Sequence, residues 1–505
     1  MKKDSYIGNI TKKMQGNSIW QNFKYDKNGL LWLDGVCLMD LINRYDTPLQ
    51  INYMPILSEK GNYLKKIVQD VANKADYSGG FKFLYATKAN MRAWYITEAS
   101  TIGWDIETSS NQDLINIQYL INQKSIREDV TIVCNGLKKL NNSTHDELAV
   151  THKIHSGSEV VFIDPISSRS ESSTDSYSEN IVKLHNNGIN IIPILDQDEL
   201  EYFAAQHFTK KLQVGLRMKF GKVTNEADLG NYVSRHGLSW NQVCSSAQDI
   251  EDAEQLELAI LHAMPGVSAD AMSEEKFSHS LLFAVDHYFR LKSMHPSLST
   301  LNIGGGLPPT LRGFNYEKFL STFLKEVKVI AKKYNLAEPT IMFELGTYLV
   351  DESGLYIYKV LQNKLNHTNT KESEKSWAII NSSILADLPD AWITQKNFII
   401  LAANSGNSNT KNVILGDVTC DSDGCYPTQG SKIDHVPIPD TAGDLYLVVV
   451  GTGAYQRLLT GDGGAHHCGV PEPKTIVINQ SHGEKIISLK ANQTSQDIMN
   501  LLGYK

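Results

Sequence analysis

Two kinds of apolar pattern alternate along the chain between about residues 45 and 345. Short runs of β-branched and apolar residues are typical of buried strands, whereas apolar residues at i, i+3, i+4 and i+7 are typical of a helix face. Leu64–Val71 and Tyr316–Tyr334 show the helical spacing, the second for about five turns. The strand candidates are Pro48–Met54, Phe83–Ala89, Val130–Val133, Val160–Ile163, Ile191–Leu195, Leu212–Met218, Leu256–Leu261, Leu301–Ile303 and Thr340–Phe343.

Strands that alternate with helices predict βα units and a parallel sheet. About nine candidates would form a closed (β/α)8 barrel with one to spare, and a doubly wound open sheet is the alternative that periodicity does not exclude. After about residue 350 the strand patterns follow one another without helices: Leu355–Val360, Trp377–Ile380, Phe398–Ala402, Val413–Leu415, Leu445–Val450 and Thr475–Ile478. We therefore expect an N-terminal segment, residues 1–45, that packs with a β domain, a barrel over residues 46–345, and the mainly-β domain over residues 346–505.

Composition, net charge and cysteine spacing argue against several classes of function. The 505 residues are 41% hydrophobic and 21% charged, as in ordinary globular proteins. The formal net charge of −8 argues against nucleic-acid binding by bulk charge. No apolar run approaches the roughly 18 residues of a membrane span, and no apolar stretch follows the N-terminal lysines as in a secretory signal. The six cysteines form no CxxC motif, so free thiols and a cytoplasmic protein are expected.

Lys88 ends the strand candidate Phe83–Ala89. In a barrel, such a lysine lies at the rim formed by the carboxyl ends of the strands, where barrel active sites form. A partly desolvated lysine there can lose its proton and form a Schiff base. The commoner alternative for an isolated strand-end lysine is a side chain that points into water.

Two further candidates follow late barrel strands. Gly304, Gly305 and Gly306 come after Leu301–Ile303, and three glycines let backbone N–H groups approach a phosphate closely. A tight turn explains the glycines equally well. Glu344 follows Thr340–Phe343 and could pair with a protonated pyridine nitrogen, although a lone strand-end glutamate is more often solvated.

Thr419–Gly424 is the densest polar cluster of the β region. Its thiol, Cys420, could donate a proton, and its acids could hold a cationic substrate group. The alternative is a simple turn at Asp423-Gly424. His466-His467-Cys468 resembles a metal-binding tract in composition, but no fourth ligand stands at a suitable spacing, so no metal site is predicted.

Six short passages follow one another in a particular order along the chain. A resemblance that rests on many such passages in order is stronger evidence than a single shared motif. The passages are Ile132–Lys138, Val214–Arg217, Ser234–Leu238, Leu388–Gln395, Val418–Gly424 and Gly453–Gln456. From about residue 20 to the end, the chain resembles the fold-type III pyridoxal-phosphate decarboxylases, the alanine-racemase-like group, and within it the biosynthetic arginine decarboxylases. The resemblance implies an alanine-racemase-like (β/α)8 barrel with a separate mainly-β domain.

The resemblance also implies a place for the cofactor, pyridoxal 5'-phosphate. Lys88 would hold it as an internal aldimine, and Glu344 would keep its pyridine nitrogen protonated, so that the ring acts as an electron sink. His262 is the candidate that stacks on the ring, although one alignment puts Met264 there. The phosphate would be bound by Gly304, Gly305, Gly306 and Tyr455.

For the reaction, the resemblance implies decarboxylation of arginine to agmatine, a step of polyamine biosynthesis, through an external aldimine. Cys420 would return a proton to the α-carbon, reaching in from the partner subunit of a homodimer. Asp421 and Asp423 would face the cationic end of the substrate. Magnesium is compatible with this interpretation, but the sequence defines no site for it.

One departure from the family pattern concerns the phosphate. The family's Glu-x-Gly-Arg motif ends here in Thr347, so an arginine that usually meets the phosphate is missing. Two alternatives therefore remain open, a decarboxylase of another basic or arginine-derived amino acid and a non-catalytic regulator of the same fold. A racemase fits less well, because Cys420-Asp421 stands where that chemistry usually needs a tyrosine.

Overall fold

The structure is a computed structural model that describes residues 5–13, 22–138, 176–219, 236–264, 273–365, 376–481 and 484–504. The predicted strand Val160–Ile163 and residues 234–235 of the passage Ser234–Leu238 lie outside the described residues. The first described elements are α1 (Tyr6–Lys13), β1 (Phe23–Tyr25), β2 (Leu31–Leu33), β3 (Val36–Cys37), α2 (Leu38–Tyr45) and β4 (Leu49–Tyr53).

Eight parallel strands close into a barrel, which confirms the predicted (β/α)8 architecture and excludes the open sheet. The strands are β5 (Phe81–Ala86), β6 (Asp105–Thr108), β7 (Thr131–Cys134), β8 (Asn190–Leu195), β9 (Leu212–Arg217), β10 (Leu256–His262), β11 (Thr300–Asn302) and β12 (Thr340–Glu344). The barrel closes where Ile341 of β12 lies opposite Phe81 of β5. Eight helices accompany the strands: α3 (Pro55–Ala75), α4 (Ala93–Thr101), α5 (Asn111–Asn122), α6 (Tyr177–Asn186), α7 (Gln197–Ala204), α8 (Trp240–Asp252), α9 (Glu274–Met294) and α10 (Tyr316–Tyr334).

Helix α10 shows how the sequence pattern produces these elements. Its apolar stripe, which includes Phe319 and Phe323, is fully buried against α3 and α9. The Asn315 side chain accepts a hydrogen bond from the backbone N–H of Lys318 and caps the first turn. Asn335 takes a left-handed conformation at the other end, which asparagine tolerates, and stops the helix.

One predicted barrel strand lies elsewhere in the structure, and one barrel strand was not predicted. Pro48–Met54 is not a barrel strand, because β4 pairs with strands of the β domain instead. The barrel strand that the pattern missed is β6, Asp105-Ile106-Glu107-Thr108. Its sequence lacks an apolar run because Glu107, a carboxylate, is completely buried in the barrel.

The predicted separate, mainly-β domain is confirmed. Its ten-stranded sheet is built around β13, which pairs with β4, β14 and β19. Its strands are β13 (Gly354–Leu365), β14 (Ser376–Ile380), β15 (Ile399–Ala402), β16 (Thr410–Gly416), β17 (Cys425–Tyr426), β18 (Val436–Pro439), β19 (Tyr446–Val450), β20 (Lys474–Ser481) and β21 (Glu484–Lys490), together with β4. The helices of this half are α11 (Thr347–Val350), α12 (Ile384–Asp387), α13 (Asp390–Ile393), α14 (Arg457–Thr460) and α15 (Ser495–Leu501).

The N-terminal elements touch this sheet. The Tyr6 hydroxyl donates to the carbonyl of Ile400 at 3.3 Å, and the Tyr25 hydroxyl donates to that of Ala402 at 2.8 Å. Among the described residues, no helix combines the length and the apolar character needed to cross a bilayer.

Candidate active site

A cleft of about 1440 Å³ opens at the carboxyl ends of the barrel strands. The barrel contributes Lys88, Arg217, His262 and Glu344 to its walls, and the β domain contributes Asp390, Lys396 and Tyr455. Because both halves of the chain line the cleft, its shape depends on how the β domain is held over the barrel.

Lys88 lies in a 3-10 turn, Thr87–Ala89, directly after β5. Its Nζ is 3.7 Å from Oε2 of Glu107. Half of the lysine side chain is accessible, toward the cleft that it lines, whereas Glu107 is completely buried. The Glu107 charge raises the pKa of Lys88, burial opposes it, and Glu344 adds to the rise. Lys88 is therefore an ammonium in contact with a carboxylate able to take its proton.

Two buried carboxylates share one amide. Asn135 Nδ2 donates to Glu107 Oε1 at 3.0 Å and to Glu344 Oε1 at 2.9 Å, and Asn302 Nδ2 donates to the same oxygen of Glu344 at 2.7 Å. Burial raises the pKa of Glu107, and the Lys88 ammonium lowers it. The other oxygen of each carboxylate faces a different group: Glu107 Oε2 lies 3.7 Å from Lys88 Nζ, and Glu344 Oε2 lies 3.6 Å from His262 Nε2.

Sequence reasoning identified Glu344 but missed its neighbours. Asn135 follows β7 directly, and this strand-end position is the same signal that pointed to Lys88. Glu107 carried no such signal, because the strand that contains it was not predicted.

His262 is the last residue of β10 and is 1% exposed. Its Nε2 lies 3.6 Å from Glu344 Oε2, and neither ring nitrogen has a hydrogen-bond partner among the described residues. Burial lowers the pKa of His262 well below its usual value, and the Arg217 and Lys88 charges lower it further. The ring is therefore a neutral imidazole whose nitrogens are free for a partner in the cleft.

Met264, the alternative to His262, occupies a different place. Its sulfur accepts a hydrogen bond from the Gly305 backbone N–H at 3.3 Å. A Cβ on Gly304 would lie 2.5 Å from the same sulfur. Met264 therefore packs against the glycine loop, whereas His262 lies beside Glu344.

The glycine loop requires glycine at each of its positions. Gly304 and Gly306 have φ of +67° and +99°, a region that favours glycine. A Cβ on Gly305 would lie 2.6 Å from the Glu344 carbonyl oxygen. Gly305 and Gly306 line the cleft, and Tyr455 lines it from the β domain. The loop is thus a backbone cradle open to the cleft.

Thr347, which stands where the resemblance leads us to expect an arginine, also lines the cleft. Two other arginines line the same cleft, Arg217 and Arg312, and sequence analysis assigned neither a role. Burial lowers the pKa of Arg217, and the carboxylates of Glu344 and Glu107 oppose that effect. The cleft therefore keeps cationic side chains although position 347 has none.

Hydrogen bonds join the two walls of the cleft. Asn90 Nδ2 donates to the carbonyl of Gly453 at 2.7 Å, and the Tyr455 backbone N–H donates to the carbonyl of Ala89 at 2.7 Å. Tyr455 has φ of +63°, an unusual value for a tyrosine. These bonds fix Tyr455 beside the turn that carries Lys88.

A buried polar network lies next to Tyr455. Gln456 Nε2 donates to Asp390 Oδ2 at 2.7 Å, and Arg457 pairs with Asp387 and with Glu472, the latter at 3.0 Å. Asp390 belongs to the passage Leu388–Gln395 and Gln456 to Gly453–Gln456. Both passages therefore have a structural role, because this network anchors the loop that holds Tyr455 at the cleft.

This network makes the fold sensitive to acid. Burial would raise the pKa of Glu472, but hydrogen bonds from His466 and from the Gly463 backbone N–H, together with the Arg457 charge, lower it to about 2. An unfolded glutamate titrates near 4.3, so the carboxylate adds up to about 3 kcal/mol of stability above that pH. That stability is lost as the pH falls through about 4 toward 2.

Glu472→Gln should therefore lower the free energy of unfolding at pH 7 and flatten its decline between pH 5 and pH 3, as measured by urea denaturation. The exposed Glu254→Gln is the matched control and should leave the curve unchanged. Parallel curves for Glu472→Gln and the wild-type protein would contradict the assignment.

The loop that carries Cys420 is rigidly held. Asp417 Oδ1 accepts from the backbone N–H and the hydroxyl of Thr419 at 2.8 and 2.6 Å, and its other oxygen accepts from the Ile384 N–H at 2.8 Å. A Cβ on Gly424 would lie 2.5 Å from Asp417, so only glycine fits there. Cys420 itself is exposed.

The remaining predicted site residues lie apart from this cleft. Cys420, Asp421 and Asp423 do not belong to the residues that line the cleft of the same chain. Asp421 and Asp423 flank one turn, in which the Asp423 N–H donates to Asp421 Oδ1 at 2.9 Å. The structure thus brings together the predicted cofactor residues in one place and the predicted proton donor and substrate acids in another.

A (β/α)8 barrel with a separate β domain and a strand-end lysine at the cleft between them defines the alanine-racemase-like fold. Comparison with solved structures agrees with this fold. The biosynthetic arginine decarboxylase of Campylobacter jejuni is similar, with 17% identity, a TM-score of 0.73, and coverage of 99% of this chain and 92% of that one.

Two further solved structures share the fold. The diaminopimelate decarboxylase of M. jannaschii, in complex with L-lysine, has 16% identity and a TM-score of 0.70, covering 96% of this chain and 98% of its own. The arginine decarboxylase of Paramecium bursaria Chlorella virus, bound to agmatine, has 13% identity and a TM-score of 0.58, covering 84% of this chain and 96% of its own. No protein-family model and no curated protein matches the sequence.

Proposed function

We propose that the protein is a pyridoxal-phosphate-dependent decarboxylase of a basic amino acid, with arginine, converted to agmatine, as the first candidate. One observation carries the proposal: Lys88, His262, Glu344 and the glycine cradle line one cleft. The resemblance to the fold-type III pyridoxal-phosphate decarboxylases assigns these residues to the cofactor, and the buried Glu107 lies 3.7 Å from Lys88.

The cleft suits pyridoxal phosphate in three respects. The buried His262 ring lines the cleft, and among the described residues neither of its nitrogens has a hydrogen-bond partner, so both are available to a group bound there. Glu344 holds one oxygen fixed by two amides and leaves the other toward His262. Gly305 lies so near the Glu344 backbone that a side chain could not replace the cradle. Lys88, the cradle, Tyr455 and Glu344 would hold the group.

When bound, pyridoxal phosphate supplies an electron sink for the electron pair that departing carbon dioxide leaves behind. The residues of this chain would provide the proton transfers and the charges around the cofactor. Lys88 must be uncharged to attack an aldehyde, and Glu107, 3.7 Å away with a raised pKa, is placed to take its proton. Glu344, as a carboxylate, favours a proton on a pyridine nitrogen. Arg217 adds positive charge to the same wall of the cleft.

A visible spectrum separates this proposal from a non-catalytic relative. An enzyme of this type binds the cofactor and absorbs visible light, whereas a bare regulator need not. Thr347 is the observation that favours the regulator, since it removes a cation from the predicted phosphate site. The purified, pyridoxal-phosphate-treated protein should be yellow after dialysis, and a colourless protein would favour the regulator.

A homodimer with shared sites is part of the proposal, and the position of Cys420 supports it. The proposed proton donor lies outside the cleft of its own chain, so Cys420 of the partner subunit would complete the site. Lys88→Ala and Cys420→Ala chains should each be inactive, but a heterodimer of the two has one intact site. Random mixing should therefore restore about a quarter of wild-type activity, given two-fold symmetry. No recovery after proven subunit exchange would place both residues in one chain.

The acids beside Cys420 would set the substrate. A guanidinium binds a carboxylate through two parallel hydrogen bonds, and losing one acid from a partly dry pocket costs roughly 2–5 kcal/mol. Asp421 lies next to the thiol, so the exposed Asp423 is the cleaner test. Asp423→Ala should raise KM for arginine far more than it lowers kcat, whereas Asp434→Ala, also exposed, should change neither.

Citrulline, which lacks the charge, should be a poor substrate of the wild-type protein. If a neutral amino acid outcompetes arginine, the acidic-pocket argument fails. Preference for lysine or diaminopimelate would instead keep the decarboxylase and replace the first candidate substrate by another basic amino acid.

A further inference from the structure

Two thiols and an imidazole converge on the surface of the β domain. Cys420 Sγ lies 3.4 Å from Cys468 Sγ and 4.0 Å from His467 Nε2. The three donor atoms all lie within 4.8 Å of one another, and all three residues are exposed. The site is therefore open to an ion from solution.

These distances fit one tetrahedral ion. With Zn–S near 2.3 Å and Zn–N near 2.0–2.1 Å, a tetrahedral zinc spaces two sulfurs by about 3.8 Å and a sulfur and a nitrogen by about 3.6 Å. Both observed separations are within about 0.4 Å of those values. A disulfide would need about 2.05 Å between the sulfurs, which is a larger displacement. Two thiolates with an imidazole are ligands that zinc prefers.

The backbone holds the three donors in this arrangement. Cys468 has φ of +59°, which a cysteine rarely adopts, and it lies in the 3-10 turn His467–Gly469. Because of this turn, the consecutive side chains of His467 and Cys468 both lie next to the Cys420 thiol. On the other side, Asp417 fixes the loop that carries Cys420. Two separate parts of the chain are thus constrained toward one point.

We infer that Cys420, His467 and Cys468 form a zinc site. The chain supplies three ligands and leaves the fourth position for water, as in open zinc sites. Asp421 Oδ2, 3.9 Å from His467 Nε2, adds a negative charge beside the ion. On binding, each thiol releases its proton to solvent and His467 binds through a neutral nitrogen, so one doubly charged ion replaces two protons.

The consequence for catalysis rests on the proposed function. If Cys420 is the proton donor, a zinc-bound thiolate has no proton to give, so zinc should inhibit decarboxylation. Zinc binding and activity are measured separately, however. An inactive protein that binds zinc fails only the proposed function, and an active protein that binds none fails only this inference.

The test is a titration of the reduced, full-length protein with Zn²⁺ in competition with a chromophoric chelator. One zinc per chain is expected. Cys468→Ser and His467→Ala should each weaken binding by more than about 100-fold, beyond what loss of a supporting residue costs. The matched controls Cys425→Ser and His435→Ala remove a nearby thiol and an imidazole outside the cluster and should keep the affinity.

Cobalt substitution provides a second readout that does not depend on affinity. Co²⁺ should give thiolate charge-transfer and tetrahedral d–d absorption in the wild-type protein, and the charge-transfer band should weaken in Cys468→Ser. Zinc affinity unchanged in both ligand variants would overturn the inference. So would a reduced, full-length protein that binds no zinc.

Discussion

Lys88→Ala is expected to abolish decarboxylation, with a loss of at least about 10⁴-fold, the upper end of what one acid–base group contributes. The variant loses both the covalent anchor of the cofactor and the amine that exchanges with the substrate. Lys88 lies at the cleft, directly after a barrel strand, with a proton acceptor beside it, since Glu107 Oε2 lies 3.7 Å from its Nζ. Rates of carbon dioxide release from the variant and the wild-type protein check this result.

The same assignment can be tested without activity. Borohydride reduction of the cofactor-loaded protein, followed by peptide mapping, should place the pyridoxyl group on Lys88. Lys82→Ala, on the same strand but outside the cleft lining, should keep both the label and the activity. A label on any other lysine would contradict the assignment.

Cys420→Ala is expected to slow turnover by roughly 10²–10⁴-fold, the range of a general acid, while cofactor absorbance survives. The effect should fall on kcat, because the thiol acts after the substrate has bound. Cys420 does not line the cleft of its own chain, so its removal should leave cofactor binding intact. Steady-state kinetics and the visible spectrum, measured on the same preparation, separate the two effects.

Cys425→Ala is the matched control, a thiol five positions away in β17. It should retain near-normal turnover. If Cys420→Ala also forms the amine product at a near-normal rate, Cys420 has no part in the reaction and the shared-site dimer loses its main argument.

The alternation of apolar runs and helical stripes predicted a parallel sheet and the β domain, because most barrel strands are buried on both sides and read as continuous apolar runs. It left the closed barrel and an open sheet as alternatives, and the family resemblance favoured the barrel. The two errors have physical causes. Strand β6 carries the buried Glu107 and so breaks the apolar run. Strand β4 is as buried as a barrel strand, with all of Leu49–Tyr53 buried, and only its partners β13 and β20 place it in the other sheet.

At the site, residues next to strand ends could be predicted because parallel strands end at one rim. Lys88 and Glu344 are of this kind, whereas His262 was a candidate only through the family resemblance. The hydrogen bonds of Asn135 to two carboxylates could not be predicted, since they depend on the register of three strands. The meeting of Cys420 with Cys468 was equally hidden, because it joins positions 48 apart through the β domain.

The measurement that tests the central claim most directly is carbon dioxide release by the pyridoxal-phosphate-loaded protein across a panel of arginine, lysine, ornithine, diaminopimelate and citrulline. The account predicts release from a basic amino acid, with arginine the best substrate and citrulline poor, and loss of that release in Lys88→Ala. No release from any basic amino acid by a protein that holds the cofactor on Lys88 would contradict it.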